Sequence, residues 1–456
     1  METVTTDTLT IPTIETAPVQ ARWTLATRLA FRFAVLYFTS YVVTTQMWSS
    51  LVILPRVNVP SAGQIPWLQA AVTGIATKVL GFPAPLTIFS GSGDKPYDFA
   101  LVVFLLAFAT LGTIVWSALA LKRASHPAVH AWFRLFLRFA IGASMVTYGM
   151  FKFFPLQMSY PGLTRLLEPY GQFSLMGVLW AQVGASPAYE RFTGAMELVS
   201  GILLFIPGLS LLGAAACAAS AGYIFTLNMT YDVPVKLFSL HLTLMSLYLL
   251  APDARRLFRF FVLDRGVEPA ARRPLVHRPT VRKVLIVAQL VVGAWIVWSN
   301  YAQDVERYKV AGPNAPKPAL YGVWDVERMY IDGVERSPLL TDYDRWRRVV
   351  VQAATAISFQ RMDDTFSTVR ATVDANAHSI VLTRAPQGAP GPTAANQPPP
   401  AETGRFAYEQ PSPDRLVLNG TMDGKRTKME LRLYDRNNFR LVQSKFRWVQ
   451  DFPFNR

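Results

Sequence analysis

Cysteine and charge are what this chain has least of. Its 456 residues include one cysteine, Cys217, set inside an apolar run. A lone thiol excludes an intrachain disulfide, a Cys-x-x-Cys redox pair, a thiolate zinc site and c-type haem attachment. Charged residues make up 16% of the chain, where a soluble domain carries about a quarter. Acidic residues are the scarcer kind, 30 Asp and Glu against 45 Lys and Arg, for a net charge of +15. No nucleotide, flavin or haem motif is present, so no intrinsic cofactor is expected. No basic stripe interleaved with aromatics lies outside the flanks of the apolar runs, which argues against nucleic acid as a partner. Met1 to Gln20 is Thr- and Pro-rich and lacks the basic start of a signal peptide; residues 1–22 are expected to be a disordered cytoplasmic tail.

What the chain does have is apolar length, at 51% hydrophobic residues. Several runs between Leu29 and Tyr301 approach the roughly 20 residues that cross a bilayer. The reading is an α-helical membrane bundle over 23–303 with seven spans: Leu29–Leu54, Phe99–Leu121, Ala131–Phe154, Ala188–Ile206, Leu209–Met229, Val235–Ala251 and Val284–Tyr301. Orientation comes from the loop Pro252–Lys283, which holds Arg255, Arg256, Arg259, Arg265, Arg272, Arg273, Arg278, Arg282 and Lys283. Such a cluster between spans marks the cytoplasmic face. Arg22, Arg28 and Arg32 at the first span, and Lys122, Arg123 and Arg134 at the second inner loop, agree with it. The N-terminus is then cytoplasmic, the C-terminal part lies outside, and a multi-pass protein of the cell inner membrane is expected. Anionic lipids are the expected counter-charge of the basic loop. Pro66–Phe89 reads as an interfacial helix on the outer face, and Leu163–Val183 as a re-entrant or surface helix.

After Tyr301 the texture changes. Residues 304–318 read as a linker, and 319–456 as an extracytoplasmic antiparallel β-barrel or sandwich of about eight short strands. Period-two alternation marks Arg347–Ala353, Thr368–Val373, Ser379–Thr383, Arg415–Asn419, Lys428–Leu433 and Phe439–Trp448. Turns are expected at Asp332-Gly333, at residues 374–376, and at Asn419-Gly420, Asp423-Gly424 and Asn437-Asn438. The Pro/Gly/Ala-rich insertion 385–403 is expected to be a mobile loop.

Ionisable residues inside spans are candidates for function by default, because they are costly there. Lys152 ends the third span, and Glu197 lies about 13 Å into the fourth at about 1.5 Å per residue. Asn228, Tyr231, Asp232, Lys236 and His241 gather where the fifth and sixth spans meet outside. All seven are expected in the outer half of the membrane, with Lys152, Glu197 and His241 facing one cavity. Two readings stay open for them: a ligand pocket, or ties that lock the helices. Asp232, ahead of Val233-Pro234, also suits the N-cap of the sixth span. His126 and His130, at i and i+4, lack further metal ligands and read as the start of an interfacial helix with Pro127 in its first turn.

Arg138-Phe139-Ala140-Ile141-Gly142, Gly149-Met150-Phe151-Lys152 and Met196-Glu197-Leu198-Val199-Ser200-Gly201 together resemble the DoxX family of small four-helix membrane proteins, over about 131–264. The extra spans and the C-terminal domain depart from that family's pattern. The resemblance implies quinone-linked sulfur oxidation or a respiratory accessory role, hence a bound quinone or lipid and a respiratory complex or extracytoplasmic redox protein as partner. The Gly-x-x-Lys element also resembles one in the membrane part of vitamin K-dependent carboxylases. Gly322-Val323-Trp324 resembles the first strand of lipocalin-like barrels, with Arg447 as the arginine expected beneath the Trp. Function stays open among a binding or accessory subunit, an enzyme using Lys152, Glu197 and His241 for acid–base chemistry, and a structural or assembly subunit.

Overall fold

The computed structural model describes residues 23–54, 57, 59–88, 90–121, 123–268, 275–383, 402–444 and 446–453. The N-terminal tail, Arg56, Lys122, Arg272, Arg273 and the part of the insertion before Glu402 lie outside the described residues.

The segment expected as the first span forms α1 (Leu25–Thr44) and α2 (Gln46–Leu51). They break at Thr45, whose extended backbone departs from the helix while its hydroxyl donates to Tyr41 O at 2.7 Å. Next come α3 (Pro66–Gly74), which runs on as a wider turn over Ile75–Val79, and α4 (Pro96–Leu119). The central helix, α5 (Pro127–Phe153), packs against α2, against α8 (Pro187–Phe205), α10 (Lys236–Leu250) and α12 (Pro279–Ala311). Between α5 and α8 lie two short helices, α6 (Leu163–Leu167) and α7 (Leu175–Gly184). The helix α9 (Ser210–Thr230) pairs with α10, and α11 (Ala254–Phe261) follows.

Five helical segments are long and apolar enough to cross a membrane: Pro96–Leu119, Pro127–Phe153, Pro207–Thr230, Lys236–Phe261 and Pro279–Ala311. The other two expected spans form helices but carry charged residues, Arg28 and Arg32 in the first half of α1 and Glu190, Arg191 and Glu197 in α8. The last helix continues to Ala311, so 304–311 is helix where a linker was expected. Ion pairs Asp304–Arg307 and Glu306–Lys309 at i, i+3 support that final turn.

The C-terminal domain is a closed antiparallel barrel of eight strands. They are β1 (Gly322–Ile331), β3 (Trp346–Ala353), β4 (Ala356–Arg361), β5 (Phe366–Asp374), β6 (Ser379–Thr383), β7 (Glu402–Ser412), β8 (Arg415–Met422) and β9 (Lys425–Tyr434), and β2 (Val334–Glu335) is a two-residue flap on β1. Closure comes from β1, which pairs with β3 on one side and β9 on the other. Trp324, Met329, Phe359, Phe406 and Met429 fill the interior, as in small barrels generally. The turns at Asp332-Gly333 and Asp423-Gly424 have positive φ at both residues, the geometry of a two-residue hairpin.

Three strand-level expectations are corrected. Asn419-Gly420 lies inside β8, where Gly420 presses on β7; a β-carbon there would sit 1.9 Å from Arg405 O. Phe439–Trp448 is no strand but a short helix, Arg440–Gln443, and a tail in which Trp448 is 91% exposed. The ring is already closed, so no edge is left to take another strand. Arg447 lies exposed in that tail, outside any strand, and the indole N–H of Trp324 donates instead to Leu320 O at 2.8 Å. The buried arginine of the barrel is Arg345, which donates to Val326 O at 2.8 Å and Arg336 O at 3.1 Å. Glu402 and Thr403, expected in the loop, begin β7.

The barrel docks on the segment after α5. Leu163 of α6 packs against Val323 and Val350 on the barrel's outer face, and Arg436 stacks over Tyr160, 5.6 Å from the ring centre. The domain thus sits at the end of the bundle where the last turn of α5 carries Lys152.

Candidate functional site

The site is built on the contact between α5 and α8. Gly142 and Gly149 on α5 face Gly201 and Gly194 on α8, so close that a β-carbon at Gly201 would lie 2.7 Å from Gly142 O. Small residues at such spacing let helix backbones touch, which is how helices associate in lipid without a hydrophobic driving force. Polar ties close the two ends of the seam. At one end Arg138 Nε donates to Leu204 O at 2.9 Å, satisfying a carbonyl of the last turn of α8. At the other, the Lys152 ammonium donates to Glu197 Oε1. Both partners are buried, at 7% and 3% exposure. Glu197 Oε2 is also buried and has no partner among the described residues.

Two neighbouring cavities meet at this ion pair. One, of about 450 Å³, opens between α8 and α9 past Phe192, Met196 and Tyr223. The other, of about 90 Å³, lies deeper among Met145, Tyr148, Phe238 and Leu242. Lys152, Glu197, Met158, Leu179, Ile224 and Leu227 line both. The short helix α7 supplies Leu179, and Trp180, on the deeper cavity, donates its indole N–H to Gln157 O at 3.1 Å. Glu190, fully buried one heptad before Glu197, accepts from Met158 N at 2.8 Å and so fixes the loop that walls the cavities. The walls are otherwise mostly apolar, the usual make-up of a small-molecule site.

Of the seven residues singled out from sequence, Lys152, Glu197, Asn228 and Tyr231 reach these cavities. Asn228 donates to Ser239 Oγ at 3.0 Å. The other three do not line them. His241 turns to the opposite face of α10: its ring stacks on Tyr41 at 3.7 Å, and Nε2 lies 2.7 Å from the Tyr37 hydroxyl. Its Nδ1 is 2.6 Å from Leu237 O, an acceptor only, so the proton sits on Nδ1 and Nε2 accepts from Tyr37. His241 is thus a tie between α10 and α1, not a third member with Lys152 and Glu197. Asp232 is 79% exposed at its side chain and pairs with Lys236 at 2.8 Å. It does not cap α10. That role falls to Asp94, from the loop before α4, whose carboxylate accepts from Lys236 N at 2.8 Å and Leu237 N at 3.0 Å.

The residues that sequence reading missed are those with no charge to flag them, Tyr148, Met158, Leu179 and Trp180, and the distant cap Asp94. Trp180 was the most legible of them, a large aromatic in a segment already marked as irregular. Among the described residues no group of three or more His, Cys, Asp or Glu could hold a metal.

No family model matches the chain, and no solved structure matches it. A curated relative does: the chain is 30% identical over 158 residues to "Uncharacterized protein YwoB" of Bacillus subtilis (strain 168), covering 96% of that protein and 35% of this chain. Nearly all of that protein is represented within a third of the present sequence, and on that footing the chain belongs to the family of YwoB.

Proposed function

We propose that this is an integral membrane protein that binds an apolar small molecule bearing an oxygen headgroup, a quinone or lipid, between α5, α8 and α9. The observation that carries this is Glu197 Oε2, a buried acceptor without a partner among the described residues, set beside the Lys152 ammonium on the wall of a mostly apolar cavity of about 450 Å³. A carboxylate oxygen can accept from a ligand hydroxyl, and an ammonium with donors to spare can donate to a carbonyl. A quinone and its quinol offer those two groups on one apolar body. The DoxX-like reading fits, because Arg138, Gly142, Gly149, Lys152, Glu197 and Gly201 all fall on this one seam. We further propose seven spans, the N-terminus inside and the barrel outside. Each expected segment forms a helix, and the arginines of α11 lie at the end of the bundle away from Lys152. The barrel then stands over the outer mouth, where a respiratory complex or extracytoplasmic redox protein could dock.

A second reading rests on the continuity of the seam: Arg138, the four glycines and the Lys152–Glu197 pair also describe a purely structural clasp. One experiment separates the two. The detergent-purified protein is extracted and its small molecules identified by mass spectrometry, for the natural chain and for the double variant Lys152→Met/Glu197→Gln. Removing both charges avoids the buried unpaired ion that either single change would leave. Binding predicts that a quinone or lipid is retained by the natural chain and lost from the variant at an unchanged melting temperature. Retention by both, or by neither, leaves the clasp.

A further inference from the structure

The two cavities that meet at Lys152 and Glu197 differ in size and in polar wall. The smaller, of about 90 Å³, falls below the roughly 150 Å³ of a cavity that holds benzene. It has room for the polar end of a molecule whose body occupies the larger one, of about 450 Å³. Gln157 lines the smaller cavity and not the larger. Its Oε1 is buried and has no hydrogen-bond partner among the described residues, and the same holds for Glu197 Oε2. Two unpartnered acceptors thus border one small space. They come from different elements, Glu197 from α8 and Gln157 from the loop after α5. Neighbouring donors are engaged elsewhere: Asn228 Nδ2 with Ser239 Oγ at 3.0 Å, and Trp180 Nε1 with the backbone carbonyl of Gln157 at 3.1 Å.

The loop that carries Gln157 is pinned at two successive residues. Trp180 holds the Gln157 carbonyl, and the fully buried Glu190 holds the N–H of Met158 at 2.8 Å. The acceptor is therefore in place before a ligand arrives, and binding need not order it. A ligand carbonyl brought here would leave both acceptors unpaired, since it has no proton to give. A hydroxyl can donate to one of them and still accept from the Lys152 ammonium. A site that hydrogen-bonds a hydroxyl rejects the analogue lacking it far more strongly than apolar contacts discriminate, because its buried polar groups are then stranded. We propose that the smaller cavity is the headgroup subsite, that it takes a hydroxyl in preference to a carbonyl, and that Gln157 sets this choice. This rests on the binding reading given above and narrows it to a ligand in its reduced, quinol form.

The test uses the full-length protein in a neutral detergent, with a short-chain prenylated quinone and its quinol as probes, each held in its redox state without oxygen. Affinities are read by native mass spectrometry and by the shift in melting temperature. The quinol is expected to bind at least about tenfold more tightly than the quinone. Gln157→Leu, which keeps the bulk and removes the acceptor, should weaken the quinol at least about fivefold and leave the quinone within about twofold. Gln182→Leu, on the larger cavity only, should leave the ratio of the two unchanged. Ligand-free melting temperatures check that each variant folds, and the ratio in the natural chain tests the subsite even if one does not. Equal binding of the two forms would mean that water satisfies both acceptors and would overturn the subsite while the binding reading stands. A tighter quinone would mean that Gln157 turns its amide N–H inward, with the same consequence. A Gln157→Leu chain that keeps the preference, or weakens both forms alike, would take the choice away from Gln157. Binding of neither form to the natural chain would remove the quinone reading itself, and the subsite with it.

Discussion

Gly149 and Gly194 touch backbone to backbone: a β-carbon on Gly149 would lie 2.8 Å from Gly194 O and 2.5 Å from Leu198 N. This contact sets the distance between α5 and α8, and with it the reach of Lys152 to Glu197. Gly149→Ala should therefore push the helices apart and destabilise by about 1–3 kcal/mol, the usual cost of overpacking. Gly208→Ala, where nothing lies within 4 Å, is the control and should change stability by less than about 0.5 kcal/mol. Thermal unfolding in detergent, followed by circular dichroism, measures both.

The ion pair itself makes a sharper case. Each charge is buried against the other, so Lys152→Met or Glu197→Gln alone should cost about 3–5 kcal/mol, and the double change far less. A double-mutant cycle would give a coupling of about 2 kcal/mol or more. Additive losses would mean that water reaches both groups and that the seam is not their only partner.

These residues also show how far the sequence could be read. Lys152 and Glu197 were legible because a charge inside an apolar run has few places to go, and helix direction placed both in the outer half of the bundle. His241 obeyed the same rule and was misplaced. Depth along a helix is set by counting residues, but azimuth depends on which neighbour offers a partner, and Tyr37 and Tyr41 of α1 outbid the cavity. The alternating strands were visible as period two. The closure of the ring was not, since it depends on β1 pairing with β9 about 100 residues away, and that closure is what denies Phe439–Trp448 a place.

The cap of α10 shows the same limit and yields a test. Asp232 precedes the helix in sequence, but Asp94 provides the acceptor from a loop 142 residues away. Asp94→Ala should cost about 1–2 kcal/mol, as other N-cap losses do. Asp232→Asn, which keeps a residue tolerant of the left-handed backbone at φ 51°, should cost under about 0.5 kcal/mol. Hydrogen exchange at the amides of Lys236 and Leu237 would report the loss directly, and protection unchanged in the Asp94 variant would refute the assignment.

In the barrel, Arg336 grips Asp342 with two hydrogen bonds, Nε to Oδ2 at 2.8 Å and Nη2 to Oδ1 at 2.7 Å. This guanidinium, aided by backbone N–H donors, holds the Asp342 carboxyl below its ordinary range. A carboxylate depressed in the folded state contributes stability that is fully present above its unfolded pKa and is lost as pH falls through the folded value. The window therefore opens below about pH 4, the ordinary aspartate value. Asp342→Asn should flatten the acid limb of the barrel's stability curve and leave neutral pH little changed, because the pair is partly exposed. Urea midpoints between pH 2.5 and pH 7 would show it, and identical acid limbs would remove Asp342 as a contributor.

The last prediction concerns whether the barrel needs the bundle. Every strand from β3 to β9 is paired on both sides through the ring, and its core of Trp324, Phe359, Phe406 and Met429 is internal. What the bundle adds is chiefly the patch where Leu163 and Leu167 cover Val323 and Val350, together with weak polar contacts such as Thr164 N to Gln352 Oε1 at 3.4 Å. A fragment of residues 319–456 should accordingly be soluble and unfold cooperatively in urea. In the full chain, Leu163→Ala should loosen the docking without moving the barrel's own transition, since the lost methyl groups lie outside its core. Limited proteolysis between Gly312 and Leu320 would then quicken in the variant. An isolated barrel that unfolds without a transition, or a Leu163→Ala change that lowers the barrel's midpoint, would show instead that the two parts fold as one unit.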